Sequence, residues 1–279
     1  MIIVGCSNSK HLAKSIAKKL NFSYQDLNLD IAPDGELHVR FDDELKNKSV
    51  VLVQSFYPHP NHSLMEVLFA ASTARDLKAS KVILVAPYLA YLREDKRAIK
   101  GECISSKVVS ELLSKNFDAV VTVEPHLHDN QLFTIPIYNV DISELLKDYI
   151  KKNFKDAIII GADNESSRLV NKISFNSIVL DKKRKDAFNV SLKGNYNLPE
   201  EKEVLIVDDI ISTGSSMIEA IKFLKLKKVN CLAVHGVFIG GALRELDKYA
   251  NKIITTNTIS NETNEIDVSN LIAKKLLEV

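Results

Sequence analysis

The residues richest in chemistry form one uninterrupted run, Val204-Leu205-Ile206-Val207-Asp208-Asp209-Ile210-Ile211-Ser212-Thr213-Gly214-Ser215-Ser216-Met217. An apolar, strand-like stretch ends in two acids, and a short loop of hydroxyls and one glycine then opens a helix. Ligands of open parallel sheets gather at the carboxyl ends of strands. Amides at the start of the following helix suit a phosphate, assisted by the hydroxyls of Thr213, Ser215 and Ser216. Gly214 lets the backbone approach that phosphate closely. Asp208 and Asp209 cannot serve to bind more phosphate. Their natural partners are sugar hydroxyls, which donate hydrogen bonds, or a hydrated metal ion.

The elements that must position these residues read as a parallel α/β fold, because short β-branched runs alternate with segments of helical period. Strands are expected near 2–4, 50–54, 82–86, 119–123, 157–160, 204–207 and 231–237, and their continuous apolar character is that of strands covered on both faces. Helices are expected near 9–20, 63–77, 105–113, 143–153, 165–173, 215–224, 242–249 and 268–277. Residues 36–41 alternate polar and apolar, as in a half-exposed hairpin strand after the turn Pro33-Asp34-Gly35. The pattern restarts after about residue 140, which divides the chain into two domains of similar size, 1–140 and 141–279. The terminal helix has no evident owner between them. Residues 182–199 are polar and read as a long loop or a weak hairpin.

The run 204–217 resembles the phosphoribosyl-pyrophosphate (PRPP) binding motif of phosphoribosyltransferases and ribose-phosphate pyrophosphokinases. In that resemblance Asp208 and Asp209 hold the ribose hydroxyls, and Ser212, Thr213, Gly214, Ser215 and Ser216 hold the 5-phosphate. The rest of the chain separates the two families. Tyr88-Leu89-Ala90-Tyr91-Leu92-Arg93-Glu94-Asp95-Lys96-Arg97 resembles the ATP-carrying segment of the pyrophosphokinases, and Asp34-Gly35-Glu36 with Arg40 resembles their D-G-E element. His126 stands where that family has a magnesium-proximal histidine, Asp163 matches the acid of its ribose-phosphate loop, and Lys182 with Arg184 matches its catalytic K-x-R. The resemblance follows the family's order over nearly the whole chain.

It implies two phosphoribosyltransferase-like domains, each a mostly parallel sheet flanked by helices. ATP would lie on the first, at Asp34, Glu36, Arg93, Glu94, Asp95, Arg97 and His126, and ribose 5-phosphate on the second. Mg²⁺ would sit at His126 and Asp163, with Lys182 and Arg184 catalytic. The β,γ-diphosphoryl group of ATP would pass to the 1-hydroxyl of ribose 5-phosphate. A homo-oligomer is implied as well, with Asp34 and Glu36 reaching a neighbouring subunit's ATP. Phosphoryl-type transfer depends on positioning and charge neutralisation, which suits Arg, Lys and Mg²⁺ better than a covalent nucleophile. The chain departs from the family pattern at Ala32, where an aromatic residue commonly stacks on adenine, which leaves Phe41, Tyr57 and Tyr88 as stacking candidates. It departs also at Glu94, at Glu124-Pro125-His126, at Ala162–Ser166 and at Ser212–Ser216, as a divergent branch of archaeal type would.

Composition narrows the field further. The chain has 279 residues, 46% hydrophobic and 26% charged, so a disordered chain is excluded. Lys and Arg number 37 against 36 Asp and Glu, a net charge of +1, and no global basic field recruits nucleic acid or a membrane surface. Three scattered cysteines and the lack of a basic leader or long apolar run point to a soluble cytoplasmic protein. A phosphoribosyltransferase, or a non-catalytic PRPP-binding relative, remains the competing class.

Overall fold

The computed structural model describes residues 1–97, 99–126, 132–163, 166–174, 178–184, 190–193 and 198–279, with the backbone alone along 181–184 and 190–193. Two compact units emerge. The first comprises Met1–Asp141 with Thr258–Ser260 and Val268–Val279, the second Ile142–Asn257 with Asn261–Asp267.

The first unit begins with β1 (Ile2–Gly5), α1 (Lys10–Leu20) and β2 (Ser23–Asp26), followed by a hairpin of β3 (Asn28–Ile31) and β4 (Leu37–Arg40). Then come β5 (Ser49–Val53), α2 (Pro60–Asp76), β6 (Lys81–Ala86), α3 (Ser105–Asn116), β7 (Ala119–Val123) and β8 (Ile137–Val140). Six of the strands form one parallel sheet in the order β2-β1-β5-β6-β7-β8. Residues 50–53, 82–86 and 119–123 are buried throughout, as expected of strands with helices on both faces. Helix α1 turns Leu12, Ala13, Ile16 and Ala17 inward and ends at Asn21 in the left-handed conformation, φ +53°. Helix α2 starts three residues before the periodic pattern predicts, because Pro60 occupies its first turn, where a missing N–H costs nothing. The terminal helix, Ser269–Leu276, belongs to this unit and packs on α1, β7 and β8 through Ile272, Ala273 and Leu276.

The second unit repeats the scheme. It contains α4 (Ser143–Asn153), β9 (Ile158–Gly161), α5 (Ser167–Ile173), β10 (Ile178–Val179), and the antiparallel pair β11 (Asp181–Arg184) and β12 (Val190–Lys193). These lead into β13 (Glu203–Ile211), α6 (Ser215–Leu224), β14 (Lys228–Gly236), α7 (Ala242–Leu246), β15 (Lys252–Thr256) and β16 (Asn264–Ile266). The parallel sheet runs β10-β9-β13-β14-β15-β16. In both sheets the first strand is flanked by the second on one side and by a later strand on the other. That reversal of strand order opens a crevice at the strands' carboxyl ends. The polar run after residue 181 is therefore a hairpin where its backbone is described, and helix 242–249 of the expectation is shorter, ending at Leu246. Among the described residues no helix is long and apolar enough to cross a membrane.

The crevice of the first sheet is filled by its own side chains. Glu66 of α2 is fully buried and accepts from the Ser7 amide at 2.8 Å, the Ser7 hydroxyl at 2.6 Å and Gln54 Nε2 at 2.5 Å. Gln54 Oε1 accepts from the Asn8 amide at 3.0 Å, and Asn8 Nδ2 reaches the Ser55 carbonyl and the Ser63 hydroxyl. Burial pushes the Glu66 carboxyl upward in pKa, and the Ser7 hydrogen bonds pull it back down. Replacing Glu66 by Ala leaves buried Gln54 and the part-buried Ser7 donors without their acceptor, so urea denaturation at neutral pH should show a loss of about 1–3 kcal/mol. An unchanged midpoint would mean that water takes over all three bonds.

Candidate active site

In the second unit the acids do not follow β13 as the sequence suggests but lie inside it. Its partner β9 ends where Gly161 pairs with Val207, and β13 continues alone beside β14 through Asp208 and Asp209 to Ile211. The overhang carries both carboxyls past the end of the neighbouring strand. Asp208 is 7% exposed, Asp209 half-buried. The Asp209 amide donates to Asp208 Oδ1 at 2.9 Å. Asp208 has its pKa raised well above the usual carboxylate range, first by burial, then by the charges of Asp209 and Asp163.

Asp163 is held just past β9 by a reciprocal ring. Ser166 Oγ donates to the Asp163 carbonyl at 2.6 Å, and the Ser166 amide donates to Asp163 Oδ1 at 3.3 Å. The ring needs a glycine at 161: a Cβ there would stand 2.5 Å from Ser166 Oγ. Asn164 and Glu165, in the loop expected from sequence to hold the ribose phosphate, lie outside the described residues.

The loop after β13 meets α6 through Gly214, whose φ of +75° few other residues tolerate. Thr213 and Ser215 hydroxyls lie 3.0 Å apart at the helix start. Sequence reasoning overlooked the segment that braces this loop. Amides of Val237 and Phe238 donate to the Ile211 carbonyl, and that of Ile239 to the Ser212 carbonyl at 3.0 Å. Phe238, Gly240 and Gly241 all have left-handed φ, and the adjacent glycines were the available signal. Lys182 and Arg184 lie two apart on β11, paired in register with Leu192 and Val190. Their side chains are outside the described part of the structure.

In the first unit, residues 88–97 leave the carboxyl end of β6. The Phe56 amide donates to the Tyr88 carbonyl at 2.9 Å, and Leu89 and Leu92 are buried. Arg93, Glu94 and Arg97 are exposed and Asp95 is half-buried. Arg97 Nε donates to the Glu102 carbonyl at 2.8 Å. His126 is half-buried beyond the end of β7, the strand adjacent to β6. Asp34 and Glu36 form the exposed tip of the β3–β4 hairpin, where Gly35 has φ +92° and the Glu36 amide donates to Asp34 Oδ1 at 3.2 Å. The tip borders an open cleft of about 570 Å³ lined by Ile31, Leu37, Met65 and Phe69. Phe41 is a core residue, 8% exposed, so it offers no face to a base; Tyr57 and Tyr88 are half-buried. Among the described residues no three His, Cys, Asp or Glu side chains gather closely enough to hold a metal ion by themselves.

Comparison with known proteins decides the family. Residues 1–116 match the family model for the N-terminal domain of ribose phosphate pyrophosphokinase, and residues 128–271 match that for the phosphoribosyl transferase domain. A ribose-phosphate pyrophosphokinase of Sulfolobus acidocaldarius is 34% identical, covering 99% of this chain and 100% of its own length. The chain belongs to the ribose-phosphate pyrophosphokinase family. A Mycoplasma genitalium member is 31% identical over 93% of this chain and 82% of its own, so similarity reaches both archaeal and bacterial members. The fold matches that of phosphoribosylpyrophosphate synthetase from Mycobacterium smegmatis with a TM-score of 0.85, at 24% identity over 99% of this chain and 97% of that one. The two-domain parallel α/β architecture expected from sequence is thus the family's.

The raised proton affinity of Asp208 has a measurable consequence. A carboxyl whose folded pKa exceeds its unfolded value favours the folded state below the unfolded pKa, and that contribution is lost as pH rises through the folded value. Asp208→Asn, which keeps the acceptor for the Asp209 amide, should therefore melt higher than the parent at neutral pH. The gap should close as pH falls into the ordinary carboxylate range. A gap independent of pH would show that ionisation of Asp208 is not what costs stability.

Proposed function

We propose that the chain transfers the β,γ-diphosphoryl group of ATP to the 1-hydroxyl of ribose 5-phosphate, forming PRPP and AMP. The observation that carries this reading is the pair of acids, Asp208 and Asp209, standing next to a glycine-opened helix start in a pyrophosphokinase-family chain. Acids accept hydrogen bonds from the sugar hydroxyls, while Ser212, Thr213, Gly214, Ser215 and Ser216 receive the 5-phosphate. A phosphate alone would be repelled by the acids; a sugar phosphate satisfies both halves of the site.

Arg93 and Arg97 hold the triphosphate through planar, multi-donor contacts, with Glu94, Asp95 and His126 around it. Asp34 and Glu36 reach the nucleotide of a neighbouring copy in a homo-oligomer. The sugar's 1-hydroxyl oxygen forms the new bond to the β-phosphorus as the bond to the α,β-bridging oxygen breaks, and AMP leaves with that oxygen. Lys182 and Arg184 neutralise charge growing on the transferred group, an effect worth most in the transition state. Mg²⁺, when bound, supplies further neutralisation of the phosphates. The oxygen donors beside buried Asp208, including Asp163, would fit such a hard ion, with substrate phosphates and water completing its shell. Unpaired Cys6, Cys103 and Cys231 fit a reducing, cytoplasmic setting, and the balanced charge fits a protein without a nucleic-acid partner.

Incubation with ribose 5-phosphate, MgATP and inorganic phosphate should release AMP. Base-dependent PRPP consumption without AMP would instead make the chain a phosphoribosyltransferase. Lys182→Ala should lower turnover by about 100-fold or more while ATP binding is largely kept. Equal losses of binding and rate would remove Lys182 from the transition state.

A further inference from the structure

Four residues separate the anchored start of the nucleotide segment from Arg93, and they are fixed in an unusual way. Leu89 and Leu92 are 7% and 2% exposed, so both side chains are locked in the core of the first unit. Between them Tyr91 adopts φ +72°, a conformation that an aromatic residue takes only when its surroundings enforce it. That reversal turns Leu92 inward and lets Arg93 emerge into solvent. The Tyr91 hydroxyl donates to Asn61 Oδ1 in the first turn of α2. The platform beneath Asn61 is stiff. Ser63 accepts from Asn8 at 3.0 Å, and Glu66 is bonded to Ser7 and Gln54.

We propose that Asn61 is a positioning residue for the nucleotide: by accepting the Tyr91 hydroxyl it holds the left-handed turn that aims Arg93. The inference rests on the assignment of residues 88–97 to ATP. Asn61 touches no reacting atom in this account. It acts through Tyr91, and Tyr91 through the backbone that leads to Arg93. Without the bond, the two leucines still hold their ends of the segment, but the turn between them loses the side-chain tether of Tyr91 and samples other conformations. An arginine that must meet a triphosphate with several donors at once loses affinity when its backbone wanders, whereas the sugar-phosphate site on β13 and α6 is unaffected.

Steady-state kinetics of Asn61→Ala, Tyr91→Phe and the double variant test this, with Arg93→Ala as the control. Tyr91→Phe keeps the ring and removes only the hydroxyl. Each single variant should raise KM for ATP about fivefold, as expected for the loss of one hydrogen bond. KM for ribose 5-phosphate and the melting temperature should not move, and the double variant should be no worse than either single one. Additive effects, equal shifts in both KM values, or no shift while Arg93→Ala weakens ATP would each overturn the role of Asn61 alone. If Arg93→Ala itself leaves KM for ATP unchanged, the nucleotide assignment of the segment falls, and the inference with it.

Discussion

Asp208 is held in the closed end of β13 with Asp209 beside it along the strand and Asp163 on the turn after β9, and the arrangement of the second unit follows from that crowding. Water solvates a carboxylate well, and a strand end covered by helices does not. A group kept there against both desolvation and like charge must be held by structure that is stable for other reasons. The surrounding sheet supplies it: residues 204–207 are fully buried and pair in register with buried residues 229–232, so the overhang of β13 is rooted in the core. The Ser166 ring fixes Asp163, and the turn at 237–239 ties down the loop below α6. Such a site is paid for by the fold around it, and a proton on Asp208 relieves it.

The two units share one topology and fill the same crevice in opposite ways. At the carboxyl ends of β1 and β5, the buried acid Glu66 meets donors from its own chain, the Ser7 amide and hydroxyl and the Gln54 amide. At the ends of β9 and β13, the buried acid Asp208 meets other acids. The first arrangement is complete without a ligand. The second is not. This difference in partners, not a difference in fold, supports the proposal that the sugar phosphate binds the second unit. The segment proposed to hold the nucleotide lies one strand further along, after β6, where the crevice is not already occupied by Glu66.

Much of this was legible in the residues because burial leaves a strong mark. Strand 119–123 and helices 143–153 and 215–224 begin and end where periodicity places them. The edge strands escaped notice. Ser23–Asp26 and Ile137–Val140 are half-exposed and mix polar with apolar residues, so neither the alternating nor the continuous pattern stands out. Strand β13 was underestimated for the opposite reason. Asp208 and Asp209 look like the end of a strand by composition, yet they continue it, because pairing with β14 satisfies their backbone whatever their side chains are. Asn61 carried no chemical signal of its own, and the bracing turn after β14 showed only its paired glycines. Their importance comes from what they touch, and contact across distant parts of the chain cannot be read from spacing.

The two candidate binding regions embody different solutions to the same problem of precision. Acids on β13 are short, buried and fixed by the sheet, so the geometry offered to a sugar is set before it arrives. Arg93 and Arg97 are long and exposed, and neither is fixed by burial as the acids on β13 are. Orientation there must come from the backbone, and the backbone is pinned by two buried leucines, the Phe56–Tyr88 bond and the bond to Asn61. Exposed cations suit a substrate that must arrive and depart with its charge changed, since they solvate readily once it leaves. Buried acids suit a sugar whose hydroxyls take no part in the bond that breaks. The proposed division of labour between the units thus follows the chemistry each substrate would bring.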